Sequence, residues 1–219
     1  MRTSLAFLYE QNFWNNKTLV VGIDEVGKGA LSGPVYVGAF CFNPFSMKHK
    51  IDYMEKLGIN DSKKLSAKKR EELYSVLTDG ICYWGIGYAD VSYINSKGIS
   101  LATQYAIRQA LISILSQIPT DRVHMVVDGY GFISKGNNGT SYDLKGVIKG
   151  DGSILSIAAA SILAKVTRDK YMCELSHTYP QYQYEKHKGY GTLIHRNAIK
   201  KWGISPQHRE LFVRNIKAL

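Results

Sequence analysis

A chain of 219 residues is long enough to bury a sizeable core, and one domain, 1–219, is favoured over two. Its 28 Lys and Arg against 18 Asp and Glu give a formal charge of +10, and +7 of that lies between Lys165 and Leu219, interleaved with Tyr and His; such an excess points to nucleic acid. Cys41, Cys82 and Cys173 form no Cys-x-x-Cys pair, the amino terminus lacks a signal-peptide core, and the longest apolar stretch, Ile154 to Ala164, is too short for a bilayer. Neither a disulfide framework nor a thiolate zinc site is suggested, and a soluble, cytoplasmic protein with buried reduced thiols and no membrane association is expected.

Val20-Val21-Gly22-Ile23 is a short β-branched run that reads as a buried strand, with Asp24 and Glu25 at its carboxyl end. Alone, that pair serves equally well to solvate a turn before Gly27. Gly27-Lys28-Gly29 then sets a cation between flexible backbone positions. Gly33-Pro34 makes a turn, and Val35 to Phe42 reads as a second strand, antiparallel to the first through a hairpin-like connection. Asn60 to Leu65 is a polar, basic loop leading into a helix from about Ser66, its N-cap, to about Leu77. Ile81 to Ala89 is strand-like. A helix from about Ser100 to Gln117 puts Ala102, Ala106, Ala110, Leu111, Ile114 and Ile118 on one face, as core, and Pro119 closes it.

Arg122 to Val127 is a further strand, ending in Asp128-Gly129; Gly136 to Gly139 is an exposed turn; Tyr142 to Ile148 is a strand ending near Lys149-Gly150-Asp151. A long helix follows from about Ser153 to His177, with Ala158, Ala159, Ala160 and Ala164 small enough for close packing on a sheet. A basic loop and helical segment occupy about 179–219. Early strands in succession, then alternating helix and strand, predict an α/β fold: a mixed five-stranded sheet flanked by helices, with a helical C-terminal extension.

Three strands thus deliver acids: Asp24 with Glu25, Asp128, and Asp151. Singly, Asp128-Gly129 also suits a turn, and Asp151 also suits a cap for the helix beginning near Ser153. Gathered, four carboxylates repel and raise one another's pKa unless a cation compensates. Oxygen-only donors select Mg2+ or Mn2+, and two ions about 4 Å apart suit in-line displacement at phosphorus.

Val21 to Gly29, Asn60 to Leu65, Asp128-Gly129, Lys149 to Asp151, Ser156 to Asp169, and His187-Lys188-Gly189-Tyr190-Gly191-Thr192 together resemble ribonuclease HII, in order and spacing, from about Leu19 to Phe212. The resemblance implies a ribonuclease H-like fold and a metal-dependent endonuclease that cuts the RNA strand of RNA/DNA hybrids. It also implies nicking 5′ of a single ribonucleotide in duplex DNA, leaving 3′-hydroxyl and 5′-phosphate ends. By motif, the family's metal-binding and catalytic carboxylates fall on Asp24, Glu25, Asp128 and Asp151, serving two Mg2+ or Mn2+ ions. Its ribose-sensing glycine-basic-glycine segment falls on Gly27, Lys28 and Gly29, and its stacking tyrosine on Tyr190; reading the 2′-hydroxyl is what separates RNA from DNA. Lys28 departs from the family's usual Arg, exchanging a bidentate phosphate ligand for a point charge.

Lys63, Lys64 and Lys188, inside matched motifs, lead the candidates for phosphate contact, ahead of Lys149, Lys165, Lys186 and Arg209. His187 and His208 are able to orient substrate, but loop histidines are more often structural or solvated. A monomer acting on RNA/DNA hybrid and ribonucleotide-containing duplex is expected. A replication clamp stays open as a partner without a recognisable motif at Arg214 to Leu219. Rival readings are a catalytically silent nucleic-acid binding module, an integrase-like strand transferase, and ribonuclease HIII. The last has an extra N-terminal substrate-binding domain, for which the stretch before Thr18 leaves no room.

Overall fold

The computed structural model describes residues 6–47, 50–135 and 141–216, and the backbone alone of 133–135; the turn expected at Gly136 to Gly139 and the last three residues fall outside that set. In chain order the elements are α1 (Leu8–Trp14), β1 (Leu19–Val26), β2 (Val35–Cys41), α2 (Ile51–Lys56), α3 (Ala67–Leu77), β3 (Tyr83–Ala89), α4 (Val91–Lys97), α5 (Ile99–Leu115), β4 (Val123–Asp128), β5 (Phe132–Lys135), β6 (Ser141–Val147), α6 (Leu155–Thr178), α7 (Tyr184–His187), α8 (Leu193–Trp202) and α9 (Glu210–Val213).

The strands form one mixed sheet in the order β3-β2-β1-β4-β6-β5. The β1–β2 and β2–β3 pairs are antiparallel, β1–β4 and β4–β6 parallel, and β5–β6 antiparallel. Five strands are expected from the sequence and six are found among the described residues. The added edge strand, β5, is four residues long, too short to declare itself by alternation. The helices α1, α2 and α4 also escape the sequence reading, being six or seven residues each, below the length at which a 3.6-residue period is legible.

Helix α6 lies across β1 and β2 on one face of the sheet, and α5 across β3 and β2 on the other. Ala158, Ala159, Ala160 and Ala164 are buried as their size predicts. The backbones approach so closely that a Cβ on Gly22 of β1 would lie 2.2 Å from the carbonyl carbon of Ser156. Ile157 and Leu163 on the same helix are fully buried; truncating either to Ala would cost about 2–5 kcal/mol in transfer and cavity energy. On the α5 side, Ala102, Ala106, Ala110, Leu111 and Ile114 are core, with Ile118 packed at its edge.

Ser66 caps α3 as its side chain predicts, accepting from the Lys69 N–H. Asp151 does not cap α6. It sits in a 3-10 turn, Gly150–Gly152, and the N-cap position of α6 is Ile154, whose side chain has no acceptor. The cap comes instead from the other end of the chain: the buried carboxylate of Glu10 in α1 accepts the Ser156 N–H at 2.8 Å, setting a carboxylate where the helix dipole favours an anion. After α6, α7, α8 and α9 gather around Tyr182, Tyr184, Ile199 and Val213 together with Met172 of α6, so the helical extension is anchored on the long central helix.

Candidate active site

Parallel pairing sets the site. Ile23 stands opposite Val127, so Asp24 and Asp128 follow at the same level on neighbouring strands, and Asp128 stands opposite Val147 of β6. The turn after β6 returns Asp151 to that level, because the Gly150 N–H bonds Asp128 Oδ1 at 2.8 Å. Successive residues of a strand face opposite sides of a sheet, and Asp24 and Glu25 diverge accordingly. Asp24 lines a cavity of about 280 Å³ with Ser62, Lys63, Ser161, Lys165 and Tyr190. Glu25 borders that space and also a second one of about 320 Å³, on the α5 side, with Lys28, Thr103, Asp128 and Tyr130.

Burial, and then the charges of Glu25, Asp128 and Asp151, push the Asp24 carboxyl up to about 8 against the opposing Ser161 hydroxyl. Asp151 is raised too, by burial and by Asp128 and Asp61, with Lys63 opposing. Asp24 therefore feels the other three acids, and Asp151 feels Asp128. Each is also turned to a local donor: Asp24 Oδ1 accepts the Glu25 N–H at 2.8 Å, Glu25 pairs with Lys28 at 3.2 Å, and Asp151 pairs with Lys63 at 3.6 Å. Among the described residues no three His, Cys, Asp or Glu side chains converge on one coordinating point. In kind the set suits a hard divalent ion, all oxygens and in mutual repulsion; in rotamer it is held by Lys28 and Lys63.

The Gly27-Lys28-Gly29 segment follows β1 directly. Gly27 has φ +87°, and a Cβ there would meet the Arg168 guanidinium at 2.2 Å, so both conformation and space demand glycine. Lys28 and Gly29 are exposed. Tyr190 lies half-buried across the cavity, with the Arg168 guanidinium 5.4 Å and the Lys165 ammonium 5.9 Å from its ring centre. Below it three buried histidines stack and bond: the His187 and His195 rings lie 4.3 Å apart, and His195 Nε2 is 3.1 Å from His208 Nε2. His187 and His208 are thus structural, as expected, with His195 a third member that the sequence reading leaves unremarked.

Of the basic candidates, Lys63 and Lys64 are exposed beside the acids, Lys64 paired with Asp61 at 3.9 Å. Lys149 is exposed at the turn before Asp151. Lys165 borders the cavity but bonds Asp169 at 2.8 Å. Lys186 bonds Gln183. Lys188 is drawn away: its ammonium bonds the Glu185 carbonyl and faces a different cavity, between α3 and α6. Arg209 is fully buried and bonds main-chain carbonyls, so it has no surface for phosphate. Missed from the sequence are Ser62 and Ser161, which bond each other at 2.8 Å beside Asp24, and Arg168, fully buried. All three lie within motifs already singled out, but nothing in their spacing reveals which way they point.

The profile of the ribonuclease HII family matches residues 21–215. A ribonuclease HII of Fusobacterium nucleatum is 41% identical over 212 residues, covering 96% of this chain and 91% of its own. Among solved structures, the PCNA:RNase HII complex from Archaeoglobus fulgidus aligns with TM-score 0.66 at 24% identity, over 87% of this chain and 93% of that one. The Bst ribonuclease HIII in complex with Mn2+ aligns with TM-score 0.64 at 18% identity, over 89% of this chain and 64% of that one. Both likenesses bear on the fold.

Proposed function

The chain belongs to the ribonuclease HII family and is a ribonuclease H, and we propose that it nicks duplex DNA 5′ of an embedded ribonucleotide and cuts the RNA strand of RNA/DNA hybrids. The observation that carries this reading is that Asp24, Glu25 and Asp128 end the neighbouring strands β1 and β4, the Asp128–Gly150 bond holds the turn bearing Asp151 beside them, and the Gly27-Lys28-Gly29 segment and Tyr190 both pack on Arg168 next to that site.

In this reading the four carboxylates hold two Mg2+ or Mn2+ ions, consistent with the Mn2+ complex of the ribonuclease HIII. When bound, the ions supply Lewis acidity for a water nucleophile and for the leaving oxygen. The rest belongs to the chain. Lys63, and more weakly Lys64, attract the phosphate backbone. The open backbone at Gly29, where a Cβ would meet nothing within 4 Å, admits the ribose edge, so its 2′-hydroxyl is read by main chain. Tyr190 supplies a flat face for the neighbouring deoxyribose. The products are a 3′-hydroxyl and a 5′-phosphate. The whole chain acts as one catalytic unit and as a monomer, with the α7–α9 extension as the second wall of the substrate cleft. Lys188 takes no part in phosphate binding through the ammonium position found here.

The test is an assay on duplex DNA carrying one ribonucleotide. A magnesium-dependent nick 5′ of that residue, abolished by Asp24→Asn, is expected. Undiminished cutting by the variant, or equal cutting of all-DNA duplex, would reject the reading.

A further inference from the structure

Two arginines stand out because they are fully buried and neither appears in an ion pair among the described residues. A buried charge without a carboxylate is expensive, and it persists only where its donors are spent well. Here every hydrogen bond of both guanidinium groups goes to main-chain carbonyls. Arg168 of α6 bonds Pro34 O through Nε at 2.9 Å, Lys188 O through Nη1 at 2.8 Å and Ser32 O through Nη2 at 3.2 Å. Arg209, entering from the far end of the chain, bonds Gly33 O through Nε at 3.0 Å and Nη2 at 2.8 Å, and Lys28 O through Nη1 at 2.9 Å.

The recipients are two segments: 28–34, which begins inside the glycine-lysine-glycine element, and 188–190, which carries Tyr190. The segments also bond each other, Leu31 N–H to Gly189 O at 2.8 Å, while Gly33 N–H bonds Gln207 O at 2.9 Å. Gly27 gives its side-chain space to Arg168, and the same guanidinium lies over the Tyr190 ring.

We propose that Arg168 and Arg209 are positioning residues for ribose recognition, fixing the Gly27-Lys28-Gly29 segment and the Tyr190 loop as one rigid jaw at a set height above the carboxylates. The inference rests on the reading of the previous subsection. A guanidinium presents coplanar donors in a rigid fork, whereas an ammonium is a single point. Lysine at either position keeps a basic nitrogen donor and loses the ability to tie separate carbonyls together, which isolates the role of the planar fork.

The experiment compares Arg168→Lys and Arg209→Lys with the unaltered protein on the single-ribonucleotide duplex, below the melting temperature of each. The expected result is a kcat per folded molecule lower by about 100-fold, as for an ångström-scale misplacement, with KM within a few-fold and the melting-temperature rise on adding Mg2+ retained. A variant that merely melts earlier, with kcat unchanged, would overturn the proposal, and so would full activity, which would show that the fork is not needed. Should a variant not fold, amide exchange in the unaltered protein decides: Leu31 and Gly33 amides exchanging only with global unfolding support the rigid jaw, and exchange by local opening overturns it. If the unaltered protein fails to cut, the functional reading falls, while the exchange result still stands for or against the jaw.

Discussion

The Asp128 carboxylate accepts the Gly150 N–H at 2.8 Å, so the end of β4 and the turn bearing Asp151 are one mechanical unit. An acid proposed as a metal ligand also holds its neighbour in place. Asp128→Asn keeps an oxygen for that bond and removes the charge; Asp128→Ala removes both. An outer-sphere partner of a metal costs about 10- to 100-fold, so both variants should lose more than about 100-fold in turnover. In urea unfolding, only the alanine variant should lose about 1–2 kcal/mol of stability. Equal stability of the two would show that the bond contributes nothing.

Asp24, held up to about 8 by burial and by Glu25, Asp128 and Asp151, is protonated in the folded, metal-free protein across a range where the unfolded chain is ionised. The folded state then binds more protons, so this group's contribution to stability falls as pH rises from about 4 to about 8. Divalent metal should reverse that trend. Melting temperature should rise with millimolar Mg2+, by more at pH 8 than at pH 6, and calorimetry near pH 7 should register proton release on binding. A Mg2+ effect independent of pH would contradict it.

The buried His195 and His208 work in the opposite direction. Burial draws both down to about 4, with the His187 charge adding to each. Their unfolded forms take up protons first, so stability present above about 6.5 is lost as pH falls toward 4, by at most about 1.4 kcal/mol per pH unit for each ring. Urea midpoints measured with Mg2+ present, from pH 7 to pH 5, should fall in the parent protein and fall less steeply in His208→Gln. Parallel slopes would remove His208 from the account.

Lys28 pairs with Glu25 at 3.2 Å at a half-exposed position, where such a pair contributes about 0–1 kcal/mol. Lys28→Arg should therefore leave stability within about 0.5 kcal/mol. Because Arg engages phosphate bidentately, KM for the ribonucleotide duplex should drop with little change in kcat. A change confined to kcat would show that this side chain acts on Glu25 instead of on substrate.

Much of the candidate site was legible because its proposed residues sit in short, ordered motifs: the acids after apolar runs, the glycines around Lys28, and Tyr190 between glycines. Less legible were the sixth strand and the short helices, whose few residues carry no period. Least legible was the direction of side chains. Lys188 and Arg209 are charges in a basic quarter of the chain, yet one bonds a local carbonyl and the other is fully buried.

By itself the sequence determined which residues are chemically able to act. Strand-ending acids, small residues on α6 and a basic carboxyl quarter are properties of composition and spacing, readable without coordinates. Only tertiary structure decided which of them meet. Parallel pairing of β1 and β4 brings Asp24 and Asp128 to one level across more than a hundred residues of chain, and the Gly150–Asp128 bond returns the turn bearing Asp151 to them. The alternation of a strand turns Glu25 toward a second space on the α5 side, while it and Asp24 both border the first. Burial turns Arg168 and Arg209 from surface charge into clamps on Gly33, Ser32 and Lys28. Long-range contacts of this kind leave no periodic trace, because each depends on where the rest of the chain has already packed.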